Sequence, residues 1–199
     1  MGEVLIPHQE IFSTVGGGDS NRAVGLYSTV AGGGLNVASG TYSTAIGNRA
    51  NTRLHGQYSH AAGLFTTTGD AQYVRFVLRN STTDNTPTLL YLNGTSSRIL
   101  LQSGYTYSLN FKIMGVKNDG SNIAEFNKKA IVKRLLDGTT SLVSTVVDIT
   151  PPYEGNVSTD TTVTINDGTD TVDVTVTGIT GESWRWVAVV EGIEMKYSV

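Results

Sequence analysis

The chain has no cysteine, so it uses neither disulfides nor thiolate metal sites, and its redox compartment is left open. It also lacks any apolar run near the ~18 residues that a membrane helix needs, and no basic stretch leads into an apolar N-terminal segment. Neither a membrane span nor a signal peptide is expected. Charge is sparse: 14 Lys and Arg against 17 Asp and Glu give a net charge of −3. That balance leaves no electrostatic footprint for nucleic acid. Bulk is scarce in the first third, where residues 15–70 hold 12 of the 23 glycines and the apolar residues are mostly Ala and Val.

What fills that first third is a repeat. An aromatic-Ser-(Thr/His)-(Val/Ala) unit begins at Phe12, Tyr27, Tyr42 and Tyr58, in steps of 15, 15 and 16 residues. Gly25, Gly40 and Gly56 stand two residues before the last three aromatics, and Gly32, Gly47 and Gly63 five residues after them. An Asn-x-Ala unit recurs at Asn21, Asn36 and Asn48. A fixed period with glycine at fixed phase marks a coiled repeat.

A period of this length suits two short strands and two corners, one coil of a parallel β-roll. The six glycines are expected at corners, where positive φ costs them little. About four coils, stacked at roughly 4.8 Å, make a collar some ~20 Å tall. Val15, Tyr27, Val30, Tyr42, Ala45, Tyr58 and Ala61 are the expected roll and oligomer core. One such coil cannot offset the entropy of ordering its backbone. The aromatic and Val/Ala faces are therefore expected to be covered by identical copies in a homotrimer.

Gly-x-Tyr-Ser-x-Ala-x-Gly with interleaved Asn-x-Ala resembles the head repeats of trimeric autotransporter adhesins, the YadA-like left-handed parallel β-roll, over residues 12–69. Similar repeats occur in phage fibre and spike proteins. Triple glycines at residues 16–18 and 32–34 and a longer corner at 48–55 depart from strict coil regularity.

From residue 71 the apolar period becomes two. About ten short strands, punctuated by Asn93-Gly94, Asp119-Gly120, Asp137-Gly138 and Asp167-Gly168, read as an antiparallel sandwich or jelly roll. Residues 184–190 and 193–199 are taken as separate strands, with Trp184, Trp186, Ala188 and Val190 on one side. The stretch from Ser183 to Glu191 resembles the closing strand of a C-terminal domain found in phage structural proteins, which implies a distal knob on a trimeric stem. The chain divides into an arm (1–11), the repeats (12–70) and this domain (71–199).

Candidate chemistry is thin. His55 and His60, one per chain around a threefold axis, could hold a metal or anion; a polar corner residue is the plainer reading, with His60 in the slot of Thr14, Thr29 and Thr44. Asp160, Asp167, Asp170 and Asp173 form the densest acidic cluster, but their spacing puts Asp167 in a turn and Asp173 on a solvated face, not in a calcium loop. No paired carboxylates, nucleophile elbow or phosphate loop appear, so no catalytic residue, metal or cofactor is expected. Polar loops at 80–86 and 151–157 are candidates for binding sugar or protein.

These features imply an all-β, non-enzymatic phage virion protein, made in the host cytoplasm and working as a homotrimer without membrane insertion. One reading is capsid decoration or a head fibre, with the arm residues Val4, Leu5 and Ile6 and the roll on the major capsid protein. The alternative is a tail-fibre tip that reads host surface glycan or protein, and a third is a fragment of a bacterial adhesin.

Overall fold

The computed structural model describes residues 12–155 and 158–197. The arm, with Val4, Leu5 and Ile6, lies outside them, as do two residues of the 151–157 loop. Every strand-forming segment is short and β-branched or Gly-bounded at first. In order come β1 (Thr14–Val15), β2 (Arg22–Ala23), β3 (Thr29–Gly34), β4 (Val37–Ala38), β5 (Thr44–Asn48), β6 (Asn51–Thr52) and β7 (Tyr58–Ala62). They build a β-solenoid of about four turns, with β1-β3-β5-β7 stacked in parallel on one side and β2-β4-β6 on the other. Val30, Ala38, Ala45, Ala50 and Ala61 fill its interior, at most 3% exposed. The Val/Ala face is thus covered by the chain itself and needs no second copy, contrary to expectation. Small side chains suffice because a coil this narrow leaves room for little else. Val15, in the first coil, remains 47% exposed.

Register corrects the reading of the fourth repeat. Thr14, Thr29, Thr44 and Tyr58 are successive partners, in steps of 15, 15 and 14 residues. Ala31 bulges out of β3, since Val30 pairs Ala45 while Gly32 pairs Ile46. The next coil has no such residue and is one shorter. Tyr58 therefore takes the Thr44 slot and His60 lies opposite Ile46, while Asn48 aligns with Gly34 and not with Asn36.

The corners also differ from the simple glycine rule. Gly32, Gly47 and Gly56 do take positive φ (155°, 97° and 63°). Gly25 and Gly40 do not; a Cβ there would strike the carbonyl oxygens of Gly40 and Leu54 in the next coil. Gly63 has neither reason to be glycine. In the turns closed by Ser28 N–H to Gly25 O and Ser43 N–H to Gly40 O, the left-handed residue is Tyr27 or Tyr42, each at φ 56°. Stacking compensates: Tyr27 lies 5.6 Å from Phe12 and 5.0 Å from Tyr42, both pairs within 10° of parallel. A left-handed non-glycine costs about 1–2 kcal/mol, and an aromatic pair returns about 0.5–1.5 kcal/mol. Opposite this ladder runs an amide one. Asn36 N–H donates to Asn21 Oδ1 and Ala50 N–H to Asn36 Oδ1, while Asn36 Nδ2 donates to Gly47 O at 2.7 Å.

Eleven further strands follow among the described residues: β8 (Ala71–Thr82), β9 (Thr88–Leu89), β10 (Ile99–Leu100), β11 (Tyr105–Lys117), β12 (Ile123–Arg134), β13 (Thr140–Leu142), β14 (Val147–Asp148), β15 (Tyr153–Glu154), β16 (Asp160–Asn166), β17 (Thr171–Thr177) and β18 (Trp184–Lys196). Residues 184–196 form one strand, not two: Gly192 does not break it, because it is paired with Leu109 of β11 and Val74 of β8, and a side chain there would meet Ser108 O. The order β7-β8-β18-β11-β12-β13 makes these strands continue the solenoid's own sheet. Only the direction changes, from parallel to antiparallel at β7–β8. A smaller antiparallel sheet, β10-β17-β16 with β9, shares its core with the inner face of the large one. Trp184, Trp186, Ala188 and Val190 line that core at no more than 1% exposure. Trp186 packs over Gly115, its partner across β11–β18.

The turn geometry makes a prediction. Tyr27→Ala keeps the left-handed strain and loses the stack, and should cost about 1 kcal/mol. Tyr27→Gly loses the stack but also the strain, and should melt close to the parent. Urea unfolding of both variants checks the order; Gly less stable than Ala would refute it.

Candidate functional site

Four features stand out among the described residues. The first is the closure of the solenoid's last coil. The backbone N–H and C=O of Asn51 in β6 are both taken by the Gln72 side chain, at 2.9 Å each. Gln72 Nε2 also donates to Glu194, whose other oxygen is paired with Arg53. Glu194 is fully buried. Burial alone would depress Arg53, but the charge and hydrogen bond of Glu194 hold its guanidinium above the ordinary value. The guanidinium lies 5.7 Å over the ring of Tyr105. Burial, then the nearby Glu194 charge, raises the Tyr107 phenol. This cluster is structural: Glu194 is fully buried and both its oxygens are taken by side chains, while Arg53 also reaches the edge of a hollow beside His55 and Arg98.

The second is the ring ladder. Phe12, Tyr27 and Tyr42 are 56%, 45% and 57% exposed, and His55 closes the row edge-on to Tyr42 at 5.4 Å. Tyr27 has both faces covered by its neighbours, so a sugar would find only ring edges. Burial and the charge of Arg79 lower the His55 pKa. Tyr58 is half-buried beneath Arg75, 5.3 Å from its ring centre.

The third is an apolar hollow of about 320 Å³ where β7, β8 and β18 meet, lined by His60, Tyr73, Ile193 and Met195. Phe65 at its rim is 69% exposed and Ile193 is 60% exposed. Tyr73 is pushed up to about 12 by burial and by its 2.6 Å hydrogen bond to Glu191. The fourth is a cleft of about 400 Å³ at the far end of the same sheet face, between Arg79 and Arg185.

The structure does not bring the expected ligands together. His55 belongs to the ring ladder and His60 to the apolar hollow. The four acids are spent on other partners: Asp173 is buried and paired with Arg98 at 3.2 Å, Asp170 with Arg134 at 2.6 Å, Asp167 accepts from Thr140 N, and Asp160 accepts from Thr161 N. Asp173 is therefore not on a solvated face, because Arg98 follows it into the core edge. Among the described residues no group of three or more His, Cys, Asp or Glu is placed to hold a metal. Sequence reasoning missed Arg53–Glu194 and Arg79–Arg185, pairs joined only by the fold.

No protein-family model matches the chain, and no curated protein does. Among solved structures it is similar to the tailspike protein of Acinetobacter phage vB_ApiP_P1, at 12% identity and a TM-score of 0.32, over 89% of this chain and 38% of that one. It is also similar to the tailspike of Acinetobacter baumannii phage AM24, at 10% identity and a TM-score of 0.34, over 83% of this chain and 33% of that one. The chain thus spans about a third of the length of those proteins.

Two outcomes test this reading of the site. Glu194→Ala leaves Arg53 buried and unpaired, and should cost about 3–5 kcal/mol; replacing both by Met and Leu should cost less, measured by urea unfolding. For His55, the folded pKa lies below the unfolded value of 6.5, so the folded state takes up fewer protons. Stability should fall as pH drops through the region below 6.5, and His55→Gln should flatten that part of the melting profile.

Proposed function

We propose that this chain is a non-enzymatic component of a bacteriophage tail fibre or spike, a homotrimer whose residues 71–199 form a receptor-binding tip. The observation that carries the reading is the pair of exposed apolar surfaces on one rigid body. The ring ladder runs along the solenoid, and the hollow around Phe65, Tyr73, Ile193 and Met195 sits where it joins the large sheet. Large apolar groups this exposed mark interaction surfaces. Identical copies around a threefold axis would cover both, each presenting the same residues.

The shared sheet supports a tip on a stem. β7 pairs directly with β8, so the solenoid and the loop-bearing end are held without a hinge. Three tips held in fixed geometry bind a surface by avidity, where single contacts are weak. Capsid decoration, which set the arm (Val4, Leu5, Ile6) and the roll on the shell, is not carried forward: the arm lies outside the described residues, and nothing in the described ones supports that reading. Catalysis is no part of the proposal, in which Asp70 caps a turn and Asp148, Asp170, Asp173, Glu182 and Glu194 serve ion pairs.

The expected mass by light scattering is three times the 21.2 kDa chain. Ile193→Glu with Phe65→Ser should shift the protein toward monomer while its melting remains cooperative. A parent that stays monomeric at micromolar concentration would refute the trimer. Labelled parent should sediment with host cells, not with phage heads, and should leave the length of host surface polysaccharide unchanged.

A further inference from the structure

We propose that the cleft between Arg79 and Arg185 binds an anionic saccharide, with the two guanidiniums holding its carboxylate or phosphate group. The inference rests on the tip reading above and gives it a site. Arg79 pairs with neither acid nor ring; it faces Val187 across β8–β18, and Arg185 faces Ser81 two residues along. The two arginines are therefore diagonal neighbours on one sheet face, a separation that long side chains can span. Both are exposed, and among the described residues neither has an ion-pair partner.

The other arginines of residues 71–199 are each matched. Arg98 has Asp173, Arg134 has Asp170, and Arg75 lies over the ring of Tyr58. Two unmatched like charges side by side repel, and an anion between them reverses the sign of that interaction. Arg79 is also held in place: one nitrogen donates to Asn93 O at 3.1 Å, and a Cβ at Gly94 would lie 3.1–3.2 Å from its guanidinium. That turn is built by Asn93, whose Oδ1 accepts from Thr95, Ser96 and Ser97 N–H. One fork is thus fixed and the other is free to close on a ligand, which suits bidentate recognition of a planar or tetrahedral anion.

The rest of the cleft fits a polyhydroxylated carrier. Ser81 and Thr95 line it beside the arginines, with Val187 as an apolar neighbour, so hydroxyls and a C–H face both find partners. A second hollow of about 360 Å³ shares Arg185 and Val187 and continues to Met114, Lys117 and Asn118. The two together give a track longer than one sugar unit. It lies at the opposite end of β18 from Ile193, and so stays clear of the apolar hollow.

The test is calorimetric titration of the full chain with two sets of oligosaccharides, one bearing hexuronate carboxylates and one bearing phosphodiesters. The carboxylate set is repeated after reduction of its acids to alcohols. Binding to one set identifies the source of the anion, and reduction should abolish binding to the carboxylate set. Arg79→Gln and Arg185→Gln should each weaken binding about tenfold, while Arg22→Gln on the solenoid should not. Both arginines are exposed, so the variants should melt with the parent. No binding to either set, or binding that survives the double variant, would overturn the proposal. The same variants are scored for sedimentation with host cells. If the double variant still adheres, the tip reading stands and the cleft fails. If the parent binds the oligosaccharide through these arginines but not the cells, the cleft stands and the tip reading fails.

Discussion

A stack of parallel coils has an open end, and the buried contact among Gln72, Glu194 and Arg53 is what closes this one. The edge of β6 would otherwise present unpaired backbone groups, as any sheet edge does. Gln72 mimics a backbone amide and satisfies Asn51 on both sides. Glu194, fully buried, then fixes Gln72 and needs Arg53 of the same last coil to neutralise it. The chain thereby ties residue 53 to residue 194. The collar and the large sheet cannot separate without exposing a charge in a place built to exclude water.

That closure explains how so slight a solenoid can fold. Its apolar interior is one Val and several Ala, beside buried Ser28, Ser43, Thr52 and Ser59, and the apolar area buried is small. Three other terms add to it: the stacked rings, the Asn ladder that satisfies backbone groups at the second corner, and the edge pairing of β7 with β8. Asp70 secures the connection. Burial alone would raise its carboxyl, but N–H groups of Thr67, Thr66 and Phe65 hold it below the ordinary range. The loop between the two units is therefore a fastened corner and not a linker.

Rigidity at that corner shapes the functional reading. Phe65, Tyr73, Ile193 and Met195 gather near the junction, while the unmatched arginines stand beside Val187 at the far end of the same sheet face. In the proposed reading one end serves self-association and the other a ligand. The ring ladder, whose faces are used up internally, belongs with the first purpose.

The sequence by itself determined the repeat architecture, the all-β class and the change of period near residue 71. Each follows from local rules: glycine and aromatic at fixed phase, then alternation of apolar side chains. It also placed Trp184, Trp186, Ala188 and Val190 on one face correctly, because a strand's side chains alternate whatever lies around it. Matching the words Tyr-Ser at residues 42 and 58 misled the register of the last coil by two residues; the bulged Ala31 accounts for one of them and leaves no mark in composition. Only the tertiary structure decided that Tyr27 and Tyr42 carry the left-handed turns, that Asp173 is buried, and that Arg79 meets Arg185. Those outcomes depend on partners 75 or more residues away or one coil above. Such proximity is created by sheet pairing, which no local pattern encodes.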